Sequence, residues 1–210
     1  MKKGIVLLLF LALLTGCTPK PTLDPSAPHV DITFTYGEGL RYPPSYAIWA
    51  QDEAGNKTTL FVSRKSASKR FVTETRPATL PVWAGIREES VDAVSGATPS
   101  GGLELQCNLP QSLVGKPFTL FIEANASYDY NDYYREGLKE GDEGYNDVNG
   151  QPSVLWSAAV DGAGSAAVTP TLIGRGDAIG EDHQVHEDMG NVTSAKELLR
   201  DIVVTVVPGK

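Results

Sequence analysis

The chain has 210 residues, with 26 acidic against 18 basic side chains and a formal net charge of −8. That balance repels nucleic acid and anionic lipid headgroups, so neither is expected as a partner of the folded surface. Two cysteines, Cys17 and Cys107, exclude a disulfide framework, a four-cysteine metal site and a CxxCH haem attachment.

The chain opens Met1-Lys2-Lys3, then runs apolar from Ile5 to Leu14, then reads Leu14-Thr15-Gly16-Cys17. A basic start, a short apolar run and small residues before a cysteine are the parts of an export signal. The apolar run falls short of the roughly 20 residues that a spanning helix needs. LTGC resembles the bacterial lipoprotein box. The resemblance implies cleavage before Cys17, acylation of Cys17, and attachment to a membrane of the cell envelope, periplasmic or outer. Residues 1–16 are then a signal peptide. Residues 17–28, with TPKPTLDPSAP, form a lipidated cysteine and a proline-rich tether. Residues 29–210 form the folded domain, and loss of Lys2 and Lys3 takes its net charge to −10.

From Val30 onward the sequence reads as short strands with turn punctuation. Val30 to Tyr36 alternates apolar and polar. Ser45 to Gln51 and Lys57 to Ser63 flank Asp52-Glu53-Ala54-Gly55-Asn56, which supplies a hairpin loop. Ser68 to Glu74 and Thr79 to Ala84 read as weaker strands interrupted by Pro77 and Pro81. Gly102 to Asn108 alternates Leu103, Leu105 and Cys107, so Cys107 is expected as a buried small hydrophobe. Pro117 to Ala124 is a strong strand. Ser153 to Asp161 and Ala166 to Ile173 form a further pair. Ser194 to Asp201 reads as one short helix near the C-terminus, with Glu197 at capping-box spacing from Ser194. The chain closes on the β-branched run Ile202 to Val207. About nine strands and no βαβ alternation predict an all-β antiparallel β-sandwich of Ig-like or Greek-key type.

Tyr46-Ala47-Ile48-Trp49, Arg76-Pro77-Ala78-Thr79-Leu80-Pro81-Val82-Trp83, DAVSGATP and the strand ending Glu123-Ala124-Asn125 resemble a family of predicted periplasmic, flavin-reductase-associated proteins. The resemblance spans roughly Val30 to Asn125. It implies an exported β-sandwich with no established activity. Separately, DAVSGATPS resembles the covalent FMN attachment sequence of extracytoplasmic flavin domains. Carried over by position, it implies Thr98 as the acceptor hydroxyl, Asp92 as the upstream acidic recognition residue and Ser95 among the small residues before the acceptor. A flavin transferase and a redox partner would follow. The same residues also suit a tight turn leading into Gly101-Gly102.

Two further segments carry candidate groups. Asn125 to Asn149 holds five tyrosines among carboxylates. Tyr130 and Tyr134 are candidates for stacking a sugar or peptide, against the alternative of a solvated excursion whose tyrosines lie on the sandwich edge. Gly180 to Asp188 contains His183 and His186 between carboxylates. This is a candidate metal pair, against the alternative of a solvated loop. No GxSxG or HExxH string occurs. The sequence therefore reads as a membrane-anchored, non-enzymatic binding or scaffold module with no resident cofactor. The alternative is an FMN carrier.

Overall fold

The computed structural model describes residues 26–64, 66–67, 76–86, 94–96, 101–164 and 166–210. The alternation in β1 (His29–Tyr36) sends Val30, Ile32 and Phe34 inward. β1 is the centre strand of a three-stranded antiparallel sheet, between β5 (Gly102–Asn108) and β9 (Leu199–Val207). A six-stranded sheet faces it. Its order is β4 (Val94–Gly96), β3 (Lys57–Ser63), β2 (Ser45–Asp52), β6 (Pro117–Asn125), β7 (Val154–Asp161) and β8 (Thr171–Arg175). All its pairings are antiparallel except β3 with β4. The nine strands thus form the expected sandwich.

Between the sheets lie Ile32, Phe34, Tyr46, Ile48, Leu105, Leu120, Ile122, Trp156, Ile202 and Val204. Each fully buried aliphatic or aromatic side chain here contributes about 1.5–3 kcal/mol. Cys107 belongs to this core. Burial pushes its thiol up to about 12, and the thiol lies 3.8 Å from the Val30 carbonyl. The β2–β3 hairpin is closed by Asn56, whose N–H and Nδ2 both donate to the Asp52 carboxylate at 2.8 Å. Gly55 takes the left-handed φ of 86° that this loop requires.

β2 has no alternation, because Tyr46 to Ala50 are all buried. The reason is a second core on the other face of the larger sheet, made of Ala47, Trp49, Val62, Leu80, Val82, Trp83 and Leu155. A 3₁₀ turn at Pro77–Thr79 and the helix α1 (Pro81–Ile86) cover that face. The weak strand expected over Thr79 to Ala84 is this helix. Pro81 sits in its first turn, where a missing N–H costs nothing. The Val82 and Trp83 N–H groups donate to Glu123 at 3.3 and 2.7 Å. Glu123 is 0 % exposed, and the Ser153 hydroxyl also donates to it at 2.7 Å. Gly176 closes over the group. A Cβ there would strike the Ser153 hydroxyl and the Pro81 ring and stand 3.1 Å from Glu123 Oε1.

The expected C-terminal helix is also corrected. Only Ser194–Glu197 makes a 3₁₀ turn, and β9 begins at Leu199. Ser194 does not cap it, since its hydroxyl donates to Asp129 at 2.6 Å. Asp201 takes φ 54° where the β1–β9 register shifts. That bulge spaces Leu199 and Ile202 by three, which mimics helical periodicity in sequence. The strand expected from Ala166 begins instead at Thr171. Val168 pairs with Val204 of the other sheet, so this connection crosses the sandwich edge.

The signal peptide, Cys17 and the strand expected over Ser68 to Glu74 lie outside the described residues. The last residues of the expected tether belong to the fold. Lys210 N–H donates to the Ser26 carbonyl at 3.0 Å and Leu109 N–H to the Pro28 carbonyl at 2.9 Å. No helix among the described residues is long and apolar enough to cross a membrane.

Burial pushes the Glu123 carboxyl from 4.5 up to about 7, against the three donors that favour its charge. A folded value above the unfolded one means stability present at low pH and lost as pH rises through this window. At 1.36 kcal/mol per unit, the loss is up to about 3 kcal/mol. Urea unfolding should therefore show the stability of Glu123→Gln gaining on the wild type by about that amount between pH 4 and pH 8. A gap that stays constant would mean that the carboxyl titrates as it does in water.

Candidate ligand-binding cleft

Where β2 begins and β3 and β6 end, three loops leave the larger sheet together. They enclose a cleft of about 530 Å³, lined by Tyr42, Pro44, Ser45, Ser63, Arg64, Arg76, Thr79, Asn125, Ser127 and Tyr128, with Pro43. Among the described residues the lining includes two arginines and no carboxylate, on a chain whose net charge is −8. Tyr42 and Tyr128 form the rim, 51 % and 40 % exposed, with ring centroids 5.8 Å apart. The Arg41 guanidinium lies 5.5 Å from the Tyr42 ring and 4.6 Å from the Tyr128 ring, in cation–π range of both.

The floor is polar. Asn125 Nδ2 donates to the Gln151 carbonyl at 2.9 Å, which fixes the carboxamide. Ser63 Oγ accepts the Tyr46 N–H at 3.2 Å and donates to Ser66 Oγ at 3.3 Å. The Arg76 guanidinium donates to the Val148 carbonyl at 3.2 Å. The Asn149 carboxamide, with its oxygen turned toward Arg76, accepts from both terminal nitrogens at 3.0 Å. Thr79 differs from these. It is 4 % exposed, lines the cleft, and its hydroxyl has no hydrogen-bond partner. A buried hydroxyl without a partner costs about 1–3 kcal/mol.

The tyrosine-rich excursion supplies one wall. Tyr128 N–H donates to the Asn149 carbonyl at 2.6 Å and closes its base. Asn131 Oδ1 accepts the Tyr133 and Tyr134 N–H groups at 3.0 and 2.7 Å, and Asn131 Nδ2 reaches the Asn191 carbonyl. Tyr134 is 6 % exposed and is part of the main core, so its ring is not offered to a ligand. Tyr130 is half-buried and lines a separate cleft of about 250 Å³ with Arg135 and Tyr145. The residues that form the principal cleft, Tyr42, Arg76, Thr79 and Tyr128 among them, do not stand out in the sequence. They come from segments far apart in the chain, and only the Tyr42-Pro43-Pro44 turn offered a local signal.

The histidine loop divides. His183 Nδ1 lies 2.7 Å from the Pro81 carbonyl, and its ring leaves no room for a Cβ at Gly85, so it fastens the loop to α1. His186 Nε2 sits 3.1 Å from both oxygens of Asp182, with Asp177 beside them. The Gln184 N–H, and then His186, hold the Asp182 carboxyl below the usual range. The structure therefore groups His186 with two aspartates and not with His183.

Of the flavin motif, β4 places Gly96 in register with Ser63 of the cleft. Asp92 and Thr98 lie outside the described residues, as does the side chain of Ser95.

Tyr128 carries the cleft's ring on a φ of 68°, which a bulky residue takes only at a cost of about 1–3 kcal/mol. Glycine should relieve that cost where alanine does not. Chemical denaturation should find Tyr128→Gly about 1 kcal/mol more stable than Tyr128→Ala, although the two lose the same ring.

No family model, curated protein or solved structure matches this chain.

Proposed function

We infer that this protein is a lipid-anchored component of the bacterial cell envelope that binds a ligand without transforming it, and that the ligand enters the Tyr42–Tyr128 cleft. The observation that carries the reading is a cleft of about 530 Å³ with two exposed rings on its rim and, in its lining, Thr79, whose buried hydroxyl has no partner. Aromatic rings and preplaced polar groups around a cavity of this size suit a small-molecule or oligomer site. Binding is favoured over catalysis because Glu123, the one carboxyl among the described residues that is raised to about 7, is sealed beneath α1. The LTGC string and the tether support the anchor.

A thermal-shift screen of the full chain in detergent, against envelope saccharides and peptides, tests the cleft. A stabilising ligand at 100 times its Kd adds about 2.7 kcal/mol. Tyr42→Ala with Tyr128→Ala should abolish that shift, and the ligand should be recovered chemically unchanged. Turnover of the ligand would overturn the reading. Cys17→Ser should move the protein from the membrane fraction to the soluble one, since more than one acyl chain is needed for stable anchoring.

A second reading has one observation behind it. β4 runs parallel to β3 and leads Gly96 to the cleft residue Ser63, two residues before Thr98. In this reading a flavin transferase attaches FMN to the Thr98 hydroxyl, and the flavin would lie at the cleft. The protein would then carry electrons for a membrane partner. Co-expression with such a transferase should raise the intact mass by one FMN, and Thr98→Ala should remove the increase. An unshifted wild-type mass sinks this reading.

A further inference from the structure

We propose that the ligand of the Tyr42–Tyr128 cleft is an acidic saccharide, a chain of hydroxylated rings that presents a carboxylate to Arg64 and Arg76. The proposal rests on the reading of this cleft as the ligand site and adds the chemistry of what it takes. Two independent observations carry it. The first is charge. Among the described residues the cleft is lined by two arginines and no carboxylate, on a chain with 26 acidic residues. Beyond the Tyr128 ridge lies a second cleft whose three carboxylates, Glu38, Asp129 and Glu197, stand beside Arg41 and Arg200, so the carboxylates gather there and not in the described lining of the first. The second is Thr79, a residue of the cleft lining whose hydroxyl is buried and without a partner.

The Arg76 guanidinium is already held in place. Val148 and Asn149 hold its terminal nitrogens. Guanidinium has five N–H donors in a planar array that matches carboxylate geometry. An anion here therefore meets a side chain that has already lost most of its freedom, which lowers the entropy cost of binding. Ser45, Ser63, Asn125 and Ser127 supply hydroxyls and an amide around the floor, as a polyol needs. Tyr42 and Tyr128 supply flat faces for sugar rings at the rim. A peptide would want apolar side-chain pockets, and among the described residues the apolar part of this lining is confined to two tyrosines and two prolines.

The test is calorimetric titration of the full-length protein in detergent micelles. The probes are oligomers of galacturonate, glucuronate and mannuronate, their neutral methyl esters, and the matching sugar phosphates. At least one uronate oligomer should bind, and its ester should bind about tenfold more weakly or worse, the worth of one charged hydrogen bond. Arg64→Gln with Arg76→Gln should bring acid and ester to parity. Thr79→Val, which keeps the shape and removes the hydroxyl, should weaken binding several-fold while leaving Tm unchanged or higher. A hydroxyl with a purely structural role would instead lower Tm. Equal binding of acid and ester overturns the acidic inference and leaves the cleft reading standing. Tighter binding of the sugar phosphates overturns the carboxylate assignment. Absence of heat with every probe overturns the saccharide. Uronate binding that survives both Tyr128→Ala and Thr79→Val puts the site elsewhere and overturns the cleft reading as well.

Discussion

A single buried carboxylate joins the layers of this protein. Glu123 leaves the middle of the six-stranded sheet on the face away from the main core. There it meets two backbone N–H groups of α1 and the hydroxyl of Ser153 on the neighbouring segment. A six-residue helix cannot hold itself together in water, because its nucleus costs more than its few hydrogen bonds return. Here the sheet supplies the cap that the helix lacks. Trp83 and Leu80 then bury against Trp49 and Leu155, and Trp83 Nε1 reaches Thr59 at 3.1 Å. Take the carboxylate away and three donors are left in a dry interior.

The cleft inherits its geometry from that junction. The 3₁₀ turn that precedes α1 carries Thr79, and Arg76 stands just before the turn. Asn125 lies two residues beyond Glu123 on the same strand. One wall is thus fixed by the helix cap and another by the sheet. The third, Tyr128, is held by the closure of the tyrosine excursion onto Asn149. The cleft keeps a strained backbone at Tyr128 and an unpaired hydroxyl at Thr79. Both are local violations of folding rules at one place, a pattern expected of sites maintained for binding.

The strands were legible because a half-buried strand writes its burial into the sequence with period two. β1, β5 and β6 show this, and so does the Asp52–Asn56 hairpin. Where both faces are covered the code disappears, and Tyr46 to Ala50 could not announce the second layer. Thr79 to Ala84 looked like a strand because its capping partner is about 40 residues away, and no local pattern records it. Ser194 to Asp201 looked helical, but only its first four residues turn, and the bulge at Asp201 lies within β9. The sequence pointed to the tyrosine excursion and to the histidine loop, and both are ordered by specific contacts. It could not choose among five tyrosines, because only the three-dimensional path decides that Tyr134 turns into the core and Tyr128 out of it.

The hydrogen bond between Ser26 and Lys210 has a directional consequence. It ties the start and the end of the folded chain together beside the first residue of β1. The cleft opens at the opposite ends of the strands. An eight-residue strand spans about 26 Å, so the mouth stands roughly that far from the point where the chain enters the fold. Whatever grips the N-terminal segment therefore grips the handle, and Tyr42, Arg41 and Tyr128 are carried at the tip. If the N-terminal segment is anchored to a membrane, as proposed above, that polarity turns the cleft away from the lipid surface.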